Sequence, residues 1–144
     1  MTDCVFCRIL AGEEPVSYVC RDEATVAFMD IAPINPGQVV VIPRVHAPYL
    51  ADLDDATIQA LFHTAARVGA VLRRSSIPLD GLNLFLADGV AAGQEVFHVH
   101  VLVIPRLAGD AMKVTAAFGR PRREELDRQA NGLRDTWREL FPTA

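Results

Sequence analysis

Along these 144 residues the spacing of hydrophobic positions changes from helical to alternating and back, and each change marks an element. Residues 4–11 suit a short helix that stops near Gly12. Three strand-like runs follow, at 16–20, 25–29 and 38–42. The segment DIAPINPG (30–37) between the last two carries two prolines and a glycine, the composition of a loop. From about Asp54 to Arg74 the period becomes helical. Ile58, Leu61, Phe62, Ala65, Val68 and Leu72 share one face, and Gln59, His63, Arg67 and Arg74 share another. His63 therefore falls on the wet side and receives no role. Strands at 82–86 and 97–104 flank the loop ADGVAAGQE. Leu126, Ala130, Leu133, Trp137 and Leu140 predict a C-terminal amphipathic helix, with Pro121 suited to its first turn. VIPR occurs at 41–44 and again at 103–106, which reads as two strands that each end at a proline. Strands come in runs with helices set apart, so the fold class is α+β around an antiparallel sheet rather than a doubly wound one.

The run FHVHVLVIPR (97–106) carries the first chemical signal. In a strand, side chains alternate between faces, so His98, His100 and Leu102 point one way, about 6.6 Å apart, and Val99, Val101 and Val103 the other. A lone strand histidine is usually a satisfied core or surface residue. Two on one face of an apolar strand are harder to dismiss, because an unpartnered buried imidazole costs free energy. Metal ligation, or proton and nucleophile chemistry, would explain them.

Composition narrows the classes. Half of the chain is hydrophobic (51%) and 22% is charged, outside the regime of disorder, and the length suits one domain over 1–144. A net charge of −4 lacks the electrostatic footprint of a nonspecific nucleic-acid binder. Arg120, Arg122 and Arg123 cluster beside Glu124, Glu125 and Asp127, which suits the solvated start of a helix. No apolar run approaches a membrane span, and MTDCVFCRILAGEEP lacks the order of a signal peptide, so a cytoplasmic protein with reduced thiols is expected. The three cysteines, Cys4, Cys7 and Cys20, are odd in number and form no disulfide framework. Cys4 and Cys7 have the spacing of half a tetrahedral zinc site, which His46 or His98 could complete. The redox reading of C-x-x-C expects a thioredoxin-like context that is absent.

GQEVFHVHVLVIPR, AFMDIAPINPGQVVVIPRVH and CVFCRILAGEEP together resemble the histidine-triad (HIT) family of nucleotide hydrolases and transferases, over about residues 4–106. Residues 107–144 would be a C-terminal extension. The resemblance implies a small α+β fold with an antiparallel sheet, one long helix, a short N-terminal helix and a C-terminal helix, paired as a homodimer. It implies that His100 is the nucleophile toward the α-phosphorus of a nucleoside phosphate derivative, giving a nucleotidyl-histidine that water resolves. It assigns Cys4, Cys7, His46 and His98 to a structural zinc site, Asp30 to the ribose hydroxyls, and Gly93, Gln94, Glu95 and Val96 to a loop facing the phosphate.

The chain departs from the family pattern at three positions. Leu102 replaces the third triad histidine, Gln38 in NPGQ replaces a histidine, and Ala87 in LADG replaces an asparagine. Losing one transition-state donor typically slows a reaction about 10²- to 10³-fold. Gln38 and Gln94 still offer amide donors to a phosphate. Three readings stay open: a family-type enzyme of reduced or altered activity, a nucleotide-binding module without turnover, and an enzyme repurposed for another small molecule.

Overall fold

The computed structural model describes residues 3–142. The elements are α1 (Val5–Ala11), β1 (Tyr18–Arg21), β2 (Thr25–Met29), β3 (Val39–Pro43), α2 (Asp55–Arg74), β4 (Gly81–Phe85), β5 (Val101–Arg106) and α3 (Arg123–Leu140). The strands form one antiparallel sheet in the order β1-β2-β3-β5-β4. The three helices and the sheet agree with the α+β class read from the sequence. The described chain divides into two compact units, the first ending at Met112 and the second beginning at Lys113. None of the described helices is long and apolar enough to cross a membrane.

Both faces of the sheet are covered, which explains the uninterrupted VVVI of β3. Val39 and Val41 join Ala27, Val101 and Val103 in a core with Leu61, Ala65, Val68 and Leu72 of α2. Val40 and Ile42 face the other way, into a second core with Val26, Phe28 and α1 residues Phe6 and Ile9. A strand buried on two sides needs apolar residues at every position, so the alternation is lost. At the start of α2, Asp54 accepts the backbone N–H of Thr57, and this cap fixes the helix entry. Phe62 departs from expectation: it lies on the flank of the buried stripe and is exposed, whereas His63 is exposed as the pattern implied.

The histidine strand is shorter than its sequence suggests. Pairing of β5 with β3 reaches only from Val39↔Val103 to Val41↔Val101, and residues 97–100 lie outside the ladder. There the chain bonds instead to the loop after β3: the Val99 N–H donates to the Ala47 carbonyl at 2.8 Å. Nor does Pro105 end its strand. The β5 strand continues to Arg106, opposite Gly81, because beyond Val103 only β4 pairs with it and a missing donor is tolerated there. Gly37, just before β3, has φ 89°, and a Cβ there would stand 2.7 Å from Ile77. Only glycine fits both the left-handed turn and the close approach.

The second unit contains α3 preceded by a segment, 113–122, without helix or strand. No residue of α3 is buried, and Leu133, Trp137 and Leu140 are exposed. Pro121 precedes the capping residue Arg122, so it lies outside the first turn and not within it.

Candidate functional site

Two clusters meet at residues 98–100. The first begins on α1, where Cys4 caps the helix and Cys7 follows one turn later, so both thiols face the same way. His46 arrives from the loop after β3, and His98 from the segment ahead of β5. The four ligand atoms lie within 4.8 Å of one another. Cys4 Sγ is 3.6 Å from His98 Nδ1, Cys7 Sγ is 3.3 Å from His46 Nδ1 and 3.7 Å from His98 Nδ1, and the two Nδ1 atoms are 3.3 Å apart. A tetrahedral zinc ion bound by sulfur and imidazole nitrogen sets ligand–ligand edges of about 3.3–3.8 Å. The donor set fits such an ion in chemistry, and these four separations match its edges. His98 is fully buried, and its Nε2–H donates to the Pro43 carbonyl at 2.9 Å, which leaves Nδ1 as a bare lone pair aimed at the cluster. Burial pushes its pKa down, the Pro43 hydrogen bond opposes this, and positive charge on His46 or His100 would lower it further. His98 is accordingly held neutral, the form that ligates metal.

The second cluster surrounds His100. Its Nδ1–H donates to the His98 carbonyl at 2.8 Å, leaving Nε2 as the free lone pair. The ring packs edge-on to Phe6, with centroids 5.2 Å apart, and lines a hollow of about 600 Å³. That volume lies within the range of small-molecule sites. Of the sequence-predicted residues, Asp30, Gly93, Glu95, Val96 and His100 line it, as do the substituted positions Ala87 and Leu102.

Asp30, at the end of β2, is held on both oxygens: Oδ1 accepts the Ala32 N–H at 2.9 Å and Oδ2 accepts Gln38 Nε2 at 2.7 Å. Gln38 itself is buried and accepts the Ile34 N–H, so it lies behind Asp30 and not on the wall of the hollow. Gln94 is also buried behind its loop. Its Oε1 accepts the Gly89 N–H, and its Nε2 donates to the carbonyls of Pro48 and Val96. The amides that the sequence offered to a phosphate are thus engaged within the fold. Gln94 fastens the loop, and Gln38 fastens Asp30.

The sequence reading missed the apolar walls. Val5, Phe6 and Ile9 of α1 form one, and Phe28, Val40 and Leu102 form another, with Phe85 and the exposed Ile31 at the margin. Phe28 lies on β2 with Asp30 two residues on, just past its end, and Val40 pairs with Leu102, so strand alternation carried this signal. Among the described residues, no lysine or arginine lines the hollow. The arrangement offers an imidazole lone pair, an oriented carboxylate and apolar surfaces that can enclose a flat ring.

Comparison with known proteins gives this geometry its context. Residues 11–109 match the model of the HIT domain. A zinc-bound histidine-triad family protein of Mycobacterium smegmatis superposes with a TM-score of 0.73 at 34% identity, covering 93% of this chain and 96% of that one. A histidine-triad nucleotide-binding protein of Candida albicans gives 0.86 at 25% identity, covering 96% and 99%. An adenylylsulfatase of Arabidopsis thaliana is 30% identical over 131 residues, 91% of this chain and 66% of that protein. Domain match, superposed fold and the histidines at 98 and 100 lead to one conclusion: the chain belongs to the histidine-triad, or HIT, family.

Proposed function

We propose that this protein binds nucleoside monophosphoryl compounds in the hollow before His100 and transfers the nucleotidyl group through that residue to water or another acceptor. The observation that carries this reading is the pairing of an oriented nucleophile with an oriented ribose acceptor. His100 has its Nδ1 proton committed to the His98 carbonyl, so Nε2 is presented as the attacking lone pair, and Asp30 is fixed from behind on the same hollow. The apolar walls suit a base, and Asp30 keeps lone pairs for the hydroxyls of a sugar. Among the described residues, the backbone N–H groups of Glu95 and Val96 bond to no other group and are available to a phosphoryl oxygen. They are fewer than a full triad would supply, since Leu102 and Ala87 donate nothing. Turnover is therefore slow by the standard of the family.

The metal cluster is a structural zinc site in this reading. Its four ligands would tie α1 to the loop after β3 and to the His98 segment, and the ion stands outside the reaction. The protein acts as a cytoplasmic homodimer, as the family resemblance implies.

A second reading is favoured by the lining itself. With Leu102, Ala87, Phe85 and Ile31 on the wall and no cationic side chain, the hollow also suits a less anionic small molecule, turned over by the same His100 or only bound. One experiment separates them: AMP and GMP binding by calorimetry, with turnover of an adenosine phosphoramidate on the same preparation. The enzymatic reading expects binding weakened by Asp30→Ala, turnover reduced at least 10³-fold by His100→Ala, and a gain of tenfold or more from Leu102→His. Binding without turnover leaves a nucleotide-binding module, and neither signal leaves a different ligand.

A further inference from the structure

Transfer from a phosphoramidate or phosphate ester needs a proton for the leaving group, because an amide or alkoxide ion is a poor one. The position that would bring a third histidine into the hollow holds Leu102, which carries no transferable proton. Four of the described residues that line the hollow do: Glu14, Asp30, Glu95 and His100. Three of them are committed. Glu14 accepts a bond from Arg8 Nε at 2.8 Å, both oxygens of Asp30 accept bonds from Ala32 and Gln38, and the Nδ1–H of His100 donates to the His98 carbonyl. No other described residue is hydrogen-bonded or ion-paired to the Glu95 carboxyl. It also lines a second hollow, which Cys4 and His46 share, so it stands at an opening reached by solvent.

Resting on the phosphoryl-transfer reading, we infer that Glu95 is the proton donor to the leaving group, in the role that Leu102 cannot fill. His100 Nε2 forms a bond to phosphorus as the bond from phosphorus to the leaving nitrogen or oxygen breaks. The electron pair of that bond goes to the leaving atom, which takes the Glu95 carboxyl proton and departs as an amine or alcohol. Water then attacks phosphorus and gives its proton to the Glu95 carboxylate, the bond from phosphorus to Nε2 breaks, and its pair returns to the imidazole. Charge favours the first protonation. A negative charge close to a carboxylate disfavours its ionised form, so a bound anionic phosphoryl group draws a proton onto a neighbouring carboxyl. The placement also gives a meaning to a glutamate beside a phosphate site that has no lysine or arginine.

The test compares two substrates with one nucleoside monophosphoryl group, an alkylamine phosphoramidate and a p-nitrophenyl ester, whose phenolate leaves without a proton. Glu95→Gln is isosteric at an exposed position, and its melting temperature reports that the fold is kept. The expected result is a loss of kcat/KM on the amine substrate about 10²-fold greater than the loss on the nitrophenyl ester. Glu95→Asp should recover part of the difference. Equal losses on both substrates, or no loss on either, would overturn the donor role. Failure of the unmodified protein to cleave even the nitrophenyl ester would instead overturn the phosphoryl-transfer reading, and the donor role with it.

Discussion

Gln38 and Gln94 show how much a residue's meaning depends on where its polar atoms point. Both sit where the family resemblance placed ligand contacts, and both are buried with their amides bonded to other parts of the chain. A buried amide must satisfy donor and acceptor alike, and the fold satisfies them by fixing Asp30 and the Gly93 loop. Asp110 is the corresponding device away from the site. Arg106 binds it through both Nε and Nη2, at 2.7 and 2.8 Å, and Asn35 and the N–H of Leu107 add further donors. The Arg106 hydrogen bond, then that of Leu107, holds its carboxyl well below the usual carboxylate range, against some desolvation. A depressed pKa stabilises the fold above the unfolded value of about 3.9, and the benefit is lost as pH falls through the folded value. Asp110→Asn should therefore lower the urea midpoint at pH 7, and the gap to the unmodified protein should close progressively below about pH 4. A gap of constant size down to pH 2 would show that charge is not its origin.

At the scale of elements, α1 is the part that joins the two clusters. Cys4 and Cys7 face the metal site, while Val5, Phe6 and Ile9 of the same two turns line the hollow. Phe6 touches both histidine rings, at 5.8 Å from His98 and 5.2 Å from His100. Seven residues of helix are too few to be stable alone, so their position depends on packing and on the clamp. Metal analysis of the purified protein should find one zinc per chain. Chelation, or Cys7→Ser, should lower the melting temperature by several degrees and weaken nucleotide binding about tenfold or more, although no metal ligand touches the hollow. Unchanged affinity in metal-free protein would separate the two clusters. The late start of β5 belongs at the same scale. His98 and His100 keep the common side that alternation implied, yet the backbone between them follows the loop after β3, and this frees the His98 carbonyl for His100.

For the whole molecule, α2 and α1 cover opposite faces of the sheet, and its edges are left to β1 and β4. Leu84 on β4 is exposed at one of these edges, paired with the buried Val103. An open edge with apolar side chains is a surface that proteins cover. If the proposed homodimer uses it, sedimentation should give twice the chain mass at micromolar concentration, and Leu84→Arg should shift the population toward monomer without changing the circular dichroism. A monomer at all concentrations would remove the dimer from the account.

The elements, the α+β class and the two chemical clusters were legible in the order of residues. Hydrophobic period, proline and glycine placement and Cys-x-x-Cys or His-x-His spacing are local properties, and local sterics and helix geometry act on them directly. Strand limits were less so: the start of β5 depends on where β3 stops, some sixty residues away in the chain. The hydrogen-bond partners of the polar side chains were not legible. Whether Gln38 faces a ligand or Asp30, and which carboxyl in the hollow is left without a partner, follows from contacts between distant segments. The sequence by itself determined which chemical groups are present and on which elements they ride. Only the tertiary structure decided which of them are engaged by neighbours and which stand open to a ligand, because a hydrogen bond is settled by distance and direction in space.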